Sequence, residues 1–322
     1  MRAGRTAGPV TRRLIVSADD YGLGAAVDRG VLRAAQAGSV TSVGVMGNLA
    51  APAAVRALAA AAPRASLGVH LNLTTGRPLT PPDEVPTLVG AGGTFLPLAT
   101  LAVRALTGRV RRRDVVRELG AQVAAVRAAG VPVDHLDSHE HVHLIPGVLA
   151  AVVEVAKRTG ILALRSHRPC VLAPGGGPSR LAWYLRRPRR LAAHAAKRLF
   201  VARLGRAGLA LPDGMVGGSL VVGGAGDGPE AEWDAVCAHL PPGTWELVVH
   251  PADPDVPTSA EEEARLGALT ARRAAELAAL LAPGFAARLR RHGIALVPFA
   301  AGAAARGPAI EIREAGRDRR RA

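Results

Sequence analysis

The sequence predicts an α/β fold built on a parallel sheet, and three observations support that prediction. Short apolar runs typical of buried strands alternate with helix-like segments, beginning in the order β-α-β-α-β. Consecutive parallel strands need a long connection, which is usually a helix. Polar clusters directly follow four of the predicted strands, and in parallel α/β barrels the carboxyl ends of the strands share one face. The 322 residues can form one barrel of roughly 250 residues with insertions.

The first part of the chain gives the clearest alternation. The helix predicted first places Val27, Val31, Leu32 and Ala35 on one stripe and ends at Gly38, a helix-terminating residue. The predicted elements, in order, are a strand at 13–18, a helix at 25–37, a strand at 40–46, a helix at 51–62 and a strand at 66–72.

The alternation resumes later in the chain. We predict a helix at 114–129, a strand at 133–138, a helix at 147–159, strands at 163–165 and 245–249, a helical stretch at 259–292 and a strand at 294–298. Three segments interrupt it: a Pro/Gly-rich loop at 78–98, a basic insert at 173–211 and a Gly-rich stretch at 215–228. Long inserts of this kind usually lie at the rim, where they can cover a site.

These boundaries predict one domain at 13–302, preceded by a mobile basic N-terminus at 1–12 and followed by a disordered basic tail at 303–322. The 49% hydrophobic content and the mean hydropathy of +0.18 exclude a mainly disordered chain. Two cysteines, Cys170 and Cys237, make neither a disulfide framework nor a four-thiolate zinc site, which fits a reducing compartment. No apolar run resembles a membrane span or the core of a signal peptide. We therefore expect a cytoplasmic protein.

The net charge of +15 raises the hypothesis of nucleic-acid binding. Aromatic residues form only 3% of the chain, which disfavours stacking on single strands, and no DNA-binding motif is recognised. Because nearly all the basic residues are arginines in an alanine-rich chain, GC-rich coding bias explains the excess equally well. The stretch 180–206 carries nine basic residues and no acidic one. It is interpreted either as a solvated helix or as a surface for an anionic substrate or transient membrane contact.

Two groups of residues resemble catalytic or metal-binding motifs. Asp19 and Asp20 follow the first strand, where they either cap a helix or divide metal binding and proton transfer between them. The segment 135–143 holds four of the ten histidines and Asp137. A continued strand would place these side chains on one face, whereas a helical turn would pair His139 with His143. Either geometry offers nitrogen ligands for a transition ion.

Two further histidines stand near strand ends. His70 alternates with apolar residues and shares a strand face with Asn72 and Thr74, while His250 follows an apolar run and precedes Pro251. Taken singly, each is equally explained as an ordinary half-buried or turn histidine.

Taken together, these motifs resemble the YdjC-like carbohydrate deacetylases, including the chito-oligosaccharide deacetylases. The resemblance runs from about 13 to 300 and rests on five matching stretches in order: 18–22, 41–42, 68–78, 135–143 with Pro146, and 246–251. It implies an irregular, TIM-barrel-like (β/α) barrel, here with a basic helical insert. It also implies removal of an N-acetyl group from an amino sugar or short oligosaccharide.

By the same resemblance, one divalent cation, magnesium or zinc, would be bound by Asp20, His70 and His139. Asp19 would be the general base and His250 the general acid. The remaining candidates are expected to contact the substrate or to orient the ligands: Tyr21, Asn72, Asp137, His141, His143, Arg165 and Glu246.

The sequence departs from the family pattern in two places. Around Arg165 the expected proline is shifted to Pro169 and His167 is added, and Ala252 stands where a glycine usually follows the final His-Pro pair. Because of these departures, the sequence does not identify which acylated sugar is the substrate. Hydrolysis of another amide or ester on a sugar or lipid-linked conjugate is the alternative function. A homodimer is also predicted.

Overall fold

The computed structural model describes residues 12–173, 177–217, 220–221, 227–260, 262–263 and 270–303. The predicted mobile N-terminus and the predicted disordered tail, apart from their residues 12 and 303, lie outside this part of the chain. Eight parallel strands are described in it: β1 (Arg12–Tyr21), β2 (Ser42–Val45), β3 (Ser66–Leu71), β4 (His135–Ser138), β5 (Ala163–Leu164), β6 (Gly214–Val216), β7 (Gly243–Val249) and β8 (Ile294–Leu296).

Helices connect and flank these strands. In the described residues they are α1 (Ala25–Gln36), α2 (Pro52–Ala61), α3 (Leu98–Leu106), α4 (Arg112–Arg127), α5 (Pro146–Thr159), α6 (Gly177–Leu185), α7 (Pro188–Arg206), α8 (Gly228–His239), α9 (Thr270–Leu281), α10 (Pro283–Arg291) and α11 (Phe299–Ala303). A 3₁₀ segment, His139–Leu144, joins β4 to α5.

The sheet curls into a barrel, which confirms the predicted fold class. The strands are ordered β5-β4-β3-β2-β1-β7-β6, and β8 pairs with the start of β1. The two edges are joined by isolated parallel bridges, including Pro169 to Met215, where Cys170 N–H donates to the Met215 carbonyl at 2.9 Å. Strand register therefore brings the carboxyl ends of β1, β3, β4 and β7 to the same face.

The core is made mainly of alanine, leucine and valine, as the composition predicts. α1 shows why these segments fold as helices: it buries Val27, Val31 and Ala35 on one stripe, while its arginines lie on the other side. The positively charged insert forms the two helices α6 and α7, so the predicted basic helical insert is confirmed.

Some boundaries predicted from the sequence are wrong. The helical stretch predicted at 259–292 is divided between α9 and α10, because Pro283 lacks the N–H that an uninterrupted helix would need and instead begins a new one. The structure also contains α3, β6 and α8: β6 overlaps the stretch described as Gly-rich at 215–228, and no element was predicted over most of α3 and α8.

Candidate functional site

The end of β1 carries two adjacent aspartates that point into the same site. Neighbouring side chains of a regular strand point to opposite faces. Here the register with β2 shifts between Ala18 and Tyr21, and Asp20 has a φ of 70°, so both carboxylates reach His70. Capping is excluded, because α1 is preceded by Gly24 and has no side-chain cap.

Asp20, His70 and His139 converge as the sequence predicts. Their potential ligand atoms all lie within 4.8 Å of one another. Asp20 Oδ1 lies 2.8 Å from His139 Nδ1 and 3.4 Å from His70 Nε2. One carboxylate oxygen and two imidazole nitrogens are donors that zinc and related transition ions accept, so the residues present fit a divalent cation.

His70 is held from behind by Asp137 on the neighbouring strand. Its Nδ1 lies 2.9 Å from Asp137 Oδ1, which leaves Nε2 directed at the aspartate pair. Gly44 on β2 makes this packing feasible, since a Cβ there would lie 3.0 Å from both His70 Nδ1 and Asp137 Oδ2. A carboxylate behind a ligand histidine fixes its tautomer and ring orientation, which is the role predicted for Asp137.

The charges at this site are strongly coupled. Burial disfavours a charged His70, but the carboxylates of Asp137 and Asp19 outweigh burial and raise the pKa of His70 to about 10. Burial opposes ionisation of Asp20 as well, yet hydrogen bonds from His139 and His70 hold its pKa well below the ordinary value. The ionised carboxylate of Asp20 is therefore stabilised by positive charge at the place where a cation would bind.

Arg165 lies at the centre of the charge network and is fully buried. It binds Asp19 with two nitrogens at 2.6 and 2.7 Å, Glu246 through Nε at 2.8 Å and Asp137 at 2.9 Å. Its burial favours the neutral form, but these three carboxylates raise the pKa of Arg165 well above its ordinary value. Arg165 and Glu246 are both inaccessible, and Arg165 forms buried salt bridges with the carboxylates of the site.

His250 stands at the open side of the site. Its side chain is 39% exposed, and its Nε2 lies 4.0 Å from Asp19 Oδ2. The backbone N–H of His250 donates to Glu276 Oε2 at 2.6 Å. Asp19 thus lies between the candidate cation site and a histidine that the substrate can reach.

Two residues of α9 complete the site and were missed by the sequence reasoning. Glu276 binds the backbone of His250, and Arg273 Nη2 lies 2.6 Å from Asp20 Oδ2. The two residues are three apart and share one helix face. The sequence signal is weak, because two charged residues three apart are ordinary in a helix rich in alanine and leucine, and their burial is seen only in the structure.

The side chains of Tyr21 and Asn72 both bond to backbone groups, and their predicted role remains a prediction. The Tyr21 ring lies in the hydrophobic core and its hydroxyl donates to the Ala54 carbonyl at 3.1 Å. The Asn72 side chain is fully buried and forms hydrogen bonds within its own loop, where its Oδ1 accepts from the Thr74 and Thr75 N–H groups at 3.0 Å. The neighbouring Gly22 N–H donates to Asp28 Oδ1.

His141 and His143 also differ from the prediction. The segment is neither a continued strand nor a regular helical turn, because β4 ends at Ser138 and His141 adopts a φ of 57°. Their rings pack against His167, with centroids 4.4 and 4.6 Å away, rather than against the candidate ligands. Burial lowers the pKa of His143 to about 3, so this histidine is neutral.

The fold and the site define an α/β barrel with a buried Asp–His–His centre beside an aspartate–arginine pair. The family model described as YdjC-like protein matches residues 13–291. The chain therefore belongs to the YdjC-like family.

Named relatives agree with this family. A carbohydrate deacetylase of Geobacillus stearothermophilus is 40% identical over 160 residues, which is 49% of this chain and 62% of that protein. The alignment thus spans less than two thirds of that bacterial relative. A human carbohydrate deacetylase is 33% identical over 301 residues, covering 88% of this chain and 89% of the human protein.

The fold has a counterpart among solved structures. The crystal structure of a proposed cellobiose-phosphate cleavage protein from Enterococcus faecalis V583 superimposes with a TM-score of 0.65 and 22% identity. It covers 91% of this chain and 99% of that protein. This likeness supports the architecture.

Proposed function

We propose that this protein is a carbohydrate deacetylase, a metal-dependent hydrolase that removes an N-acetyl group from an amino sugar or short oligosaccharide. The observation that carries the proposal is the convergence of Asp20, His70 and His139 beside Asp19. The names of relatives that align along most of the chain, such as the human protein, support the same class of reaction. The small-molecule partner is then an N-acetylated carbohydrate.

One divalent cation is the proposed cofactor. Bound by Asp20, His70 and His139, it would lower the pKa of a water molecule and polarise the acyl carbonyl. The two imidazole donors favour zinc over magnesium, which prefers oxygen ligands. Four carboxylates, from Asp19, Asp20, Asp137 and Glu246, face the guanidinium groups of Arg165 and Arg273, and this excess of acidic groups suits a cation.

Asp19 is the proposed general base. Its Oδ2 lies 4.0 Å from both His70 Nε2 and His250 Nε2, so it faces the gap between the ligand set and the exposed histidine. Arg165 fixes the carboxylate with two hydrogen bonds and shares its charge with Asp137 and Glu246. This sharing leaves Asp19 oriented and still able to accept a proton from attacking water.

His250 is the proposed general acid. Glu276 fixes its backbone, while the half-exposed ring can approach the leaving amine. Proton donation by the imidazolium would release the free amino sugar together with acetate. A His250→Ala variant with unchanged kcat would remove this residue from the mechanism.

The proposal is tested by metal analysis of purified protein combined with an acetate-release screen on N-acetylated oligosaccharides such as chitobiose. We expect a bound divalent ion, activity lost to a chelator and restored by zinc, and no activity in Asp20→Ala. Asp83→Asn, which changes an exposed aspartate outside the site, is the matched control. Turnover of acyl esters without acetate release from any amino sugar would favour the alternative amide or ester hydrolase.

A further inference from the structure

The two carboxylate oxygens of Asp20 have separate partners. Oδ1 faces His139 and His70, as described above, whereas Oδ2 accepts from Arg273 Nη2 at 2.6 Å. Asp20 is 2% exposed and Arg273 is 5% exposed, so this pair is shielded from water. Among the hydrogen bonds of the described residues, Oδ2 has no other donor.

We propose that Arg273 is a positioning residue that reserves Oδ1 of Asp20 for the cation by occupying Oδ2. The inference rests on the proposed function, since it concerns the same centre. A buried carboxylate oxygen without a donor carries a high desolvation cost. Without Arg273, the carboxylate would rotate to recover a partner for Oδ2, and Oδ1 would leave its place beside the two imidazoles.

Arg273 is itself fixed in place by the loop that carries His250. Its backbone carbonyl accepts from the Ala252 N–H at 3.3 Å, and Glu276, one turn further along α9, accepts from the His250 N–H. The helix is thereby tied both to the ligand Asp20 and to the strand end of β7. This arrangement suits a residue that must hold a second side chain in a defined orientation.

The rest of the guanidinium of Arg273 lies buried beside the site. Its Nε and Nη1 are buried and have no hydrogen-bond partner within the described residues. Burying unpaired donors is unfavourable, so a purely structural site would be expected to satisfy them. Within the part of the chain that the structure describes, the side-chain contact that offsets this cost is the one with Asp20.

Orientation and charge make opposite predictions, which makes the inference testable. Removing a positive charge beside a cation favours tighter cation binding by simple electrostatics. Loss of an orienting partner typically weakens metal binding by about 10–100-fold. Weaker binding after removal of Arg273, measured at a pH where Asp20 stays ionised, therefore reports lost positioning, since the direct effect of charge has the opposite sign.

The experiment titrates metal-free full-length protein with Zn²⁺ against a chromophoric chelator and measures the Kd. Arg273→Met removes the donors, and Arg273→Lys keeps the charge without the planar fork. Arg288→Met is the control, because Arg288 is also nearly buried and pairs with a carboxylate, Asp234, outside the site. We expect a Kd raised about 10–100-fold in Arg273→Met, an intermediate rise in Arg273→Lys and no change in Arg288→Met.

Equal or tighter zinc binding by a folded Arg273→Met would overturn the inference, as would an equal loss in Arg288→Met. If Arg273→Met does not fold, Arg273→Lys decides the matter, and unchanged affinity in it counts against positioning. Failure of the proposed function looks different: wild-type protein would then bind no zinc and release no acetate. Wild-type deacetylation with Arg273→Met binding zinc normally would refute the role of Arg273 alone.

Discussion

Replacing Arg165 with methionine removes a buried guanidinium from between Asp19, Asp137 and Glu246. Each contact is 2.6–2.9 Å long and shielded from solvent. An ion pair at about 4 Å gives about 4 kcal/mol at an effective dielectric constant near 20, and desolvation offsets much of this. Breaking a buried pair typically costs about 3–5 kcal/mol, because the remaining charges are left uncompensated. We expect a loss of this size at pH 7.

The loss should depend on pH in a defined direction. Arg165 lowers the pKa of Asp137, and that stabilisation is present above the unfolded pKa and lost as pH falls through the folded pKa. Without Arg165, burial raises the pKa values of Asp137 and Glu246, so the variant keeps its stability at low pH and loses it as pH rises through those values. The difference between wild type and Arg165→Met should therefore grow between pH 5 and pH 8.

Urea unfolding followed by tryptophan fluorescence measures this difference, since Trp233 and Trp245 are buried. The double variant with Glu246→Gln is the internal control. Burial raises the pKa of Glu246, so it is the carboxylate that most needs Arg165, and removing its charge should recover part of the loss. A loss of stability below about 1 kcal/mol would refute the reasoning, since it would be far smaller than the cost of a broken buried pair. A loss that is equal at pH 5 and pH 8 would also refute it, because the carboxylate charges would then play no part.

Two further predictions concern regions outside the metal ligands. Burial raises the pKa of Asp28 to about 6, so its charge destabilises the fold as pH rises from about 4 to about 6. The free energy of unfolding of Asp28→Asn, measured in urea, should exceed that of the wild type by about 1–2 kcal/mol at pH 7.5 and equal it near pH 3.5. A pH-independent gain would contradict this explanation. On α6 and α7, three leucines that lie among basic residues are 61–70% exposed: Leu181, Leu185 and Leu199. We therefore expect the protein to sediment with anionic vesicles in a salt-sensitive manner, and serine at these three positions should weaken this binding. Unchanged sedimentation in the serine variant, or none in the wild type, would exclude membrane contact by these leucines.

The structure describes no helix that is long and apolar enough to cross a bilayer, within the residues it covers. The predicted homodimer stays a prediction.

Much of the site could be predicted because its ligands stand beside strand ends. Asp19, Asp20, His70 and His250 each follow or end a short apolar run, and parallel strands bring such positions to one face. The alternation of apolar runs also predicted most strands within a few residues. These signals are local in sequence, which is why they could be found without the structure.

The remaining features depend on contacts that local pattern does not reveal. Arg273 and Glu276 lie in a helix whose composition is dominated by alanine and leucine, and only tertiary packing turns their shared face toward the site. Asn72 looked suited to binding because it shares a strand face with His70, but β3 ends at Leu71 and the chain then turns. Likewise, the positive φ of His141 directs its ring to His167, a change of direction that histidine spacing does not encode.

The pairing of β1 has a consequence for how the chain is made. All three proposed ligands belong to the first 139 residues, but Arg12 pairs with Gly243, and Asp20 needs Arg273 to complete its contacts. During synthesis, the three ligand side chains therefore leave the ribosome long before β1, the strand that carries Asp20, can pair with β7. Since contacts so distant in sequence form slowly, we infer that the completed centre assembles only after most of the polypeptide has been translated.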